Sequence, residues 1–262
     1  MKKIIENFKG KKILVIGDVM LDKYIYGSVT RISPEAPVQV VKVEKESYVP
    51  GGAANVANNI AALGGRAILV GAVGKDPGAE ILTRILNEKD VKTEFFVWNA
   101  PTIVKVRVVG QSQQLLRIDY EDETTINAQE ISKKIIKLAA DADVIIISDY
   151  AKGTINEEVM KTAVASGKKV IIDPKPKNFR LYKGAFLIKP NFSEAKEIAG
   201  TTDVSEMGRK LKEQTNSNIL ITKGKEGMSL FEIDGSNLHV PTEAREVYDV
   251  TGAGDTVTAA LA

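Results

Sequence analysis

The chain has no cysteine and only one histidine, His239, among its 262 residues. Without cysteine there can be no disulfide framework and no thiolate metal site, which is typical of a cytoplasmic protein. A single histidine excludes mechanisms that need a histidine pair, such as those of most zinc hydrolases and of nucleotidyl transferases with a His-x-Gly-His site. No apolar run approaches the length that crosses a membrane, and the first residues lack the apolar stretch of a signal peptide. We therefore expect a cytoplasmic protein that does not bind membranes.

Net charge is also nearly absent. The chain carries 36 basic and 34 acidic residues, a formal charge of +2, which argues against nucleic acid as a partner. Two phosphate-binding patterns are missing from the sequence: the Gly-x-x-x-x-Gly-Lys-Ser/Thr of P-loop enzymes, and a Gly-x-Gly-x-x-Gly after the first strand. What the sequence does have is 44% hydrophobic residues, enough to bury a large core.

Short apolar runs alternate with helical patterns through most of the sequence. The runs are nearly continuous, as in strands buried on both faces, and they include Lys12–Gly17, Ile68–Val73, Val144–Ser148, Lys169–Asp173 and Asn218–Thr222. This alternation predicts an α/β fold with a parallel sheet covered by helices on both faces. Two patches, at about 23–49 and 94–120, instead alternate polar and apolar residues, which predicts a small separate β flap. We interpret the flap as an insertion in one domain that spans residues 1–262.

A turn of small residues, Gly252-Ala253-Gly254, runs directly into an apolar helix near the end of the chain. Free N–H groups at the positive end of a helix dipole form a site for an anion such as a phosphate. Asp255 in the first helical turn would repel a phosphate. Its carboxylate makes sense if it takes a proton from a hydroxyl that attacks the bound phosphorus. The alternative is a glycine turn followed by an ordinary first-turn acid.

Further polar groups follow the predicted strands, where open parallel sheets bind their ligands. Asp18 follows the first strand, and Gly51, Gly52 and Asn55 open a helix of small residues. An acid and an amide so placed suit the recognition of sugar hydroxyls. Taken one at a time, each is equally explained as a turn acid or a close-packed helix start. Asp149 also follows a buried strand, and a polar turn is the alternative there.

Two more groups suit a nucleotide and its metal. Asn191 and Glu194 lie three residues apart at a helix start, so they share a face and can hold the water shell of Mg²⁺ beside phosphates. The alternative is an asparagine cap with Glu194 in the capping-box position. Lys223, Gly224 and Gly227 belong to a glycine turn at another strand end, placed to lie along a nucleotide.

Two of these segments together resemble a known family. Gly51–Ala57 and Asp249–Asp255 are similar to the two signatures of the ribokinase-like (PfkB-type) carbohydrate kinases, in the same order and with Asn191-x-x-Glu194 between them. The flap is similar to the lid of that family, which closes over the sugar and often mediates dimers. Within the family, the chain most resembles the heptose 7-phosphate kinases, and the segments that carry this likeness are Arg31–Val38, Gln113–Arg117, Ser148–Gly153 and Glu246–Gly252.

The resemblance implies a role for each matching residue. Asp255 would be the general base, and the N–H groups of Gly252, Ala253 and Gly254 would surround the transferring phosphoryl group. The implied nucleotide and Mg²⁺ site consists of Asn191, Phe192, Ser193, Glu194, Lys223, Gly224 and Gly227, with Glu194 and Asn191 holding the metal through water. The implied sugar site consists of Asp18, Gly51, Gly52, Asn55 and Asp149. The candidates for binding the acceptor's own phosphate are Lys105, Arg107 and Arg117, with Lys175 and Lys152 in reserve, and a solvated strand charge is the alternative for each.

The implied activity is ATP-dependent phosphorylation of O1 of D-glycero-β-D-manno-heptose 7-phosphate, in lipopolysaccharide precursor synthesis, by a homodimer. Two alternatives stay open: a related kinase acting on ribose, fructose phosphate or a nucleoside, and a sugar-phosphate-binding regulatory module without catalysis. The family's fold is a parallel-sheet sandwich with a β lid. Its members continue for several dozen residues beyond the helix that Asp255 begins, so we expect that the carboxyl-terminal part of the fold is missing here.

Overall fold

The computed structural model describes residues 7–122, 126–242 and 252–262. The strands are β1 (Lys12–Gly17), β2 (Val19–Ile32), β3 (Gln39–Gly52), β4 (Arg66–Val73), β5 (Lys92–Val97), β6 (Ile103–Gly110), β7 (Gln113–Tyr120), β8 (Val144–Ser148), β9 (Lys169–Asp173), β10 (Leu187–Ile188), β11 (Asn218–Thr222), β12 (Met228–Phe231) and β13 (Asn237–Val240). The helices are α1 (Ala53–Ala62), α2 (Pro77–Asn87), α3 (Ala128–Ala139), α4 (Glu157–Ala165), α5 (Phe192–Ala199), α6 (Val204–Thr215) and α7 (Ala253–Leu261). Among the residues described, no helix is long and apolar enough to cross a membrane.

Nine strands form the main sheet, in the order β13-β12-β11-β10-β9-β8-β1-β4-β5. Every pairing from β11 to β5 is parallel, and β12 and β13 are added antiparallel at one edge. Helices cover both faces of the sheet. Leu14 and Ile16 of β1 pack with α3 to α6 on one face, while Ile13 and Val15 pack with α1, α2 and α7 on the other. This double burial is why the central strands are apolar at nearly every position, and the predicted fold is confirmed.

The second sheet, which we call the lid sheet, has the strand order β3-β2-β6-β7. Only one residue, Asp18, separates β1 from β2, so the chain passes from the main sheet into the lid sheet without a helix or a long loop. β2 and β3 form a hairpin of two 14-residue strands, and β6 pairs parallel with β2. The glycines Gly51 and Gly52 end β3 directly before α1.

One part of the predicted flap is wrong. Residues 94–97 belong to β5, which pairs parallel with β4 at the edge of the main sheet. The structure also begins the lid hairpin at Val19 rather than at residue 23. An edge strand has only one neighbouring strand, so the four inner residues of β5 are half-buried, as many residues of the lid hairpin are. The pattern of polar and apolar residues therefore could not distinguish the two positions.

Candidate active site

A cavity of about 690 Å³ lies between the lid sheet and the amino-terminal end of α7. Its lining brings together Gly51, Gly52, Asn55, Gly252 and Asp255, which the sequence places up to two hundred residues apart. Part of the motif, Asp249–Thr251, lies outside the described residues. A larger groove of about 1150 Å³ lies between α2 and β5, but no residue predicted to be functional lines it. We therefore consider the smaller cavity to be the candidate site.

Asp255 is held at the edge of this cavity by two hydrogen bonds. The Asn55 amide donates to its Oδ2 at 2.6 Å, and the Tyr150 hydroxyl donates to its Oδ1 at 3.1 Å. The residue is only 8% exposed, and this burial, together with the nearby negative charge of Asp173, raises the pKa of Asp255 above its ordinary value. A carboxylate with a raised pKa is a stronger proton acceptor, as a general base requires.

The turn before Asp255 has the geometry of a helix start without a side-chain cap. Gly252 adopts φ 77°, in the left-handed region that favours glycine, and no side chain among the described residues caps α7. A Cβ on Gly252 would lie 3.1 Å from the Asn55 amide nitrogen. The first N–H groups of a helix have no partner within it, so an anion can be bound at this turn.

A buried ion pair lies beneath the same turn. The Lys189 ammonium is 3.1 Å from the Asp173 carboxylate, and its side chain is only 3% exposed. Thr258 of α7 donates to the other Asp173 oxygen at 3.0 Å, which ties the pair to the helix that carries Asp255. A Cβ on Gly254 would lie 3.6 Å from the Lys189 nitrogen, so the cation is close to the turn. Neither charged residue was predicted as a site residue. The available signal was the spacing of Leu187 and Lys189: residues two apart in a strand point to the same face of the sheet, and Leu187 packs on the face that α7 covers.

The predicted nucleotide side is assembled from two strand ends. Asn191 and Thr222 form a parallel bridge, which places the turn of Lys223 and Gly224 beside the start of α5. Gly227, at φ 80°, closes that turn, and a Cβ there would collide with the Val240 carbonyl oxygen. Ser193 is exposed in the first turn of α5, whereas Phe192 packs partly against the core.

Asn191 and Glu194 form a reciprocal capping box, with two hydrogen bonds of 2.9 Å. The helix-cap interpretation is therefore confirmed, and it leaves one Glu194 oxygen with only a loose contact, 3.8 Å, to the Lys175 ammonium. Burial raises the pKa of Glu194, and the charge of Asp173 adds to the effect. These are hard oxygen donors, which suit Mg²⁺. Among the described residues there is no group of three or more acidic or histidine side chains that could hold a metal ion.

Asp18 does not line the cavity, contrary to the prediction. It is 1% exposed, and its carboxylate accepts hydrogen bonds of 2.8 to 3.1 Å from the backbone N–H groups of Tyr150, Lys152 and Thr154. Asp22, four residues later on β2, lines the cavity instead. The Gly51 backbone lies against it, since a Cβ on Gly51 would be 2.7 Å from its carboxylate.

Asp149 and Lys175 are also outside the predicted sugar site. Asp149 is 3% exposed and accepts hydrogen bonds from the Tyr182 hydroxyl at 2.6 Å and the Asn178 amide at 2.8 Å. It therefore fixes its own loop, and its burial raises its pKa. Lys175 lies at the Glu194 end of the site, on the nucleotide side.

The three lid cations do reach the cavity, and each has an acidic partner. Lys105 lies 3.4 Å from Asp119, Arg117 lies 2.9 Å from Asp119, and Arg107 pairs with Asp22. The structure adds Lys89, at the end of α2, which lines the same cavity and pairs with no acid in the part of the chain that is described. Lys152 instead pairs with Glu121 at 2.6 Å.

The reassignment of the cavity-lining role from Asp18 to Asp22 can be tested with one variant of each residue. We expect Asp18→Ala to destabilise the fold by about 1–3 kcal/mol, because three buried N–H donors lose their acceptor. Asp22→Asn should unfold like the wild type but raise the acceptor KM about tenfold, the effect of a lost charged hydrogen bond. Denaturant unfolding and steady-state kinetics of both variants check this. A raised KM in the Asp22 variant with unchanged stability supports the reassignment, and an unchanged KM contradicts it.

Taken together, the architecture and the site define the sugar-kinase class: a parallel sheet between helices, a lid sheet over a polar cavity, and a buried carboxylate at a helix start beside it. Residues 10–262 match the pfkB family of carbohydrate kinases. The chain belongs to this family, which transfers a phosphoryl group to a sugar hydroxyl, as the resemblance of its two signatures implied.

The similar curated proteins give a narrower comparison. The chain is 46% identical over 259 residues to bifunctional protein HldE of Chromohalobacter salexigens, a match that covers 95% of this chain and 54% of that protein. It is 45% identical over 274 residues to bifunctional protein HldE of Shewanella sediminis, covering 100% of this chain and 57% of that protein. The chain thus spans little more than half the length of the curated relatives it matches.

Solved structures support the fold. Phosphofructokinase-2 from Escherichia coli, in its tetrameric inhibited form, superposes with a TM-score of 0.79 at 17% identity, over 95% of this chain and 85% of that one. Arabidopsis thaliana ribokinase, solved with ribose and ATP, gives 0.72 at 21% identity, over 96% and 84% of the two chains. At these identities the likeness extends to the architecture alone.

Proposed function

We propose that this chain transfers the γ-phosphoryl group of ATP to O1 of D-glycero-β-D-manno-heptose 7-phosphate, giving the 1,7-bisphosphate for lipopolysaccharide core synthesis. The observation that carries the kinase proposal is the position of Asp255, a buried carboxylate with a raised pKa between the cavity and the glycine turn that begins α7. The heptose assignment is supported by the identity of about 45% to the HldE proteins over the whole chain. It is also supported by the charge of the cavity, whose lining has four cations and two carboxylates.

The proposed reaction begins with the acceptor O1 directed at Asp255. The base accepts the hydroxyl proton as O1 attacks the γ-phosphorus, and the bond from that phosphorus to the β–γ bridging oxygen breaks, so that ADP leaves. The transferring group lies against the N–H groups of the turn Gly252–Gly254. Charge that develops on the phosphoryl oxygens is stabilised there by fixed donors and by the helix dipole. The Lys189 ammonium beneath the turn adds a positive charge that is already in place before the reaction.

The nucleotide would lie along the turn of Lys223 and Gly224, with its phosphates directed at the start of α5. Asn191 and Glu194 would hold the water shell of Mg²⁺ there. When bound, the ion screens the phosphate charges and favours an in-line geometry. Lys175, 3.8 Å from Glu194, is placed to contact the same phosphates.

Two further features belong to the proposal. Homodimers would form through the lid sheet, because Ile32, Val43, Leu116 and Tyr120 expose 47–67% of their surface there. A cytoplasmic location is supported by the absence of cysteine and by the need for ATP. Sedimentation of the wild type and of Leu116→Glu tests the first point, with monomers expected only in the variant.

The function is tested by a panel of acceptors. ADP release is measured with heptose 7-phosphate, unphosphorylated heptose, ribose, fructose 6-phosphate and a nucleoside, and ³¹P NMR identifies the product. We expect the highest kcat/KM with heptose 7-phosphate and a new anomeric phosphate. Preference for an unphosphorylated sugar would replace the heptose assignment by another kinase of the family. Binding of the sugar phosphate without any ATP consumption would leave the regulatory-module alternative.

The lid cations give a prediction about acceptor recognition. Arg107→Gln should raise the KM for the phosphorylated heptose by about tenfold or more, since hydrogen bonds between charged groups contribute about 1.5–3 kcal/mol. The KM for ATP should not change, because Arg107 is on the lid side of the cavity. Lys92→Gln is the matched control, since Lys92 lies on β5 and pairs with Glu94 away from the cavity. An equal rise with the unphosphorylated heptose would show that Arg107 does not recognise the phosphate.

A further inference from the structure

The loop after β8 carries a side chain that contacts the proposed base. Tyr150 lines the cavity, and its hydroxyl donates to Oδ1 of Asp255 at 3.1 Å. Tyr150 projects from a loop of the main sheet, whereas the other donor to the base, Asn55, belongs to the helix that follows the lid hairpin. The two carboxylate oxygens therefore each have one donor, from opposite sides of the site.

This loop is fixed more firmly than a surface turn. The buried Asp18 carboxylate accepts from the N–H groups of Tyr150, Lys152 and Thr154, and Asp149 is held by Tyr182 and Asn178. Ala151 adopts φ 56°, a left-handed conformation that disfavours residues with a Cβ. Surrounding contacts must stabilise such a conformation, and here they fix the backbone beside Tyr150.

The electrostatic surroundings make the direction of the Tyr150 hydrogen bond definite. Burial and the negative charge of Asp255 raise the pKa of Tyr150 far above its ordinary value, so its hydroxyl keeps its proton. Its bond to Oδ1 favours the charged form of Asp255, and so do the Asn55 amide and the Lys189 ammonium, whereas burial and Asp173 oppose it. The other charged groups that face the cavity are Asp22, Lys89, Lys105, Arg107 and Arg117.

We propose that Tyr150 is a positioning residue for the reaction: its hydroxyl holds Asp255 as an oriented carboxylate, with a free lone pair directed at the acceptor hydroxyl. This inference rests on the proposed role of Asp255 as the base. Asn55 alone cannot fix the orientation of the Asp255 carboxylate, because one hydrogen bond leaves the carboxylate free to rotate about its Cβ–Cγ bond. In this arrangement Asp18 acts through Tyr150, since it fixes the loop from which the phenol projects.

Tyr150→Phe removes only the hydroxyl and should lower kcat by about 10- to 100-fold, the equivalent of one charged hydrogen bond. The KM for ATP should be unchanged. Loss of a donor disfavours the carboxylate, so the pKa of Asp255 rises and the acid limb of the kcat–pH profile moves up by about one pH unit or more. A merely structural role for Tyr150 would lower the rate without moving this limb.

Thr215→Val is the matched control, because it removes a buried hydroxyl that donates to the Leu211 carbonyl within α6, away from the cavity and from the loop that carries Tyr150. Its acid limb should stay at the wild-type pH. A second readout needs no substrate: ¹³C NMR titration of the aspartate carboxyls, with the Asp255 signal identified by its loss in Asp255→Asn. An upward shift of that titration in Tyr150→Phe supports the inference even if heptose 7-phosphate is not the acceptor. An unchanged titration and an unchanged acid limb overturn it.

Discussion

Replacing Asp255 by Asn lowers turnover by roughly 10²–10⁴-fold, the contribution of general-base catalysis, while nucleotide binding stays close to that of the wild type. The amide can accept from Asn55 and donate to Tyr150, so the local contacts survive with the proton acceptor removed. Steady-state ADP release and calorimetric titration with a non-hydrolysable ATP analogue measure the two quantities separately. Turnover like that of the wild type in this variant would reject the base.

The same variant gives a stability prediction with a definite sign. The folded-state pKa of Asp255 is raised, so the folded protein binds the proton more tightly than the unfolded chain does. The stability that this linkage contributes is present below the unfolded pKa and is lost as the pH rises through the folded pKa. At neutral pH the wild type therefore carries an unfavourable charge that Asp255→Asn does not carry. We expect the variant to unfold at an equal or higher denaturant concentration at pH 7, and to lose that advantage in acid.

Lys189→Met is expected to have the largest effect on stability, about 3–5 kcal/mol, because it leaves the Asp173 carboxylate without its cation under α7. The free energy of unfolding by urea measures the loss. Activity should fall as well, since α7 carries Asp255 and is tied to Asp173 through Thr258. The double variant with Asp173→Asn should recover part of the stability, because it removes the uncompensated charge.

Lys175→Met is the matched control for that variant. Its side chain is 43% exposed, its ammonium lies 3.8 Å from Glu194, and exposed pairs of this kind contribute at most about 1 kcal/mol. We expect its unfolding midpoint to stay near that of the wild type while the KM for ATP rises. Equal losses of stability in the two lysine variants would mean that burial of the Lys189 pair is not what stabilises this end of the sheet.

The layered fold could be predicted from the sequence because the main strands are buried on both faces. β1, β8 and β9 are apolar at nearly every position, and short runs of this kind between helical patterns are typical of the centre of a parallel sheet. β5 was assigned to the wrong sheet because its half-buried residues reflect an edge position, which depends on strand order. Strand order is a long-range property, and the spacing of local patterns does not contain it.

The site was predicted where a motif is local and missed where it depends on neighbouring strands. Gly51, Gly52, Asn55 and Asp255 were found from glycine turns and helix starts, and the structure brings them to one cavity. Asp18 and Asp22 both follow β1, and only the passage of β2 into the lid sheet shows which of the two faces the cavity.

Tyr150 and Lys189 were not predicted as site residues, because their partners lie 105 residues and 16 residues away in the sequence. The Lys189 contact requires that β9 and β10 be adjacent, and the Tyr150 contact requires that α7 begin beside the loop after β8. The local sequences alone reveal neither arrangement. Without that adjacency, a tyrosine in a polar turn and a lysine before a proline look like common surface features of a loop.

The uninterrupted run from β1 into β2 has a mechanical consequence. A lid that is joined to its domain by a flexible loop can move without disturbing the domain. Here the connection is a single residue, Asp18, whose carboxylate also accepts a hydrogen bond from the Tyr150 backbone. Any tilt of the β2–β3 hairpin should therefore shift the Asp18 carboxylate and the loop that it binds. We expect that binding of the sugar beneath the lid hairpin and alignment of the Asp255 carboxylate occur together. ATP would then not be attacked by water before the sugar is bound.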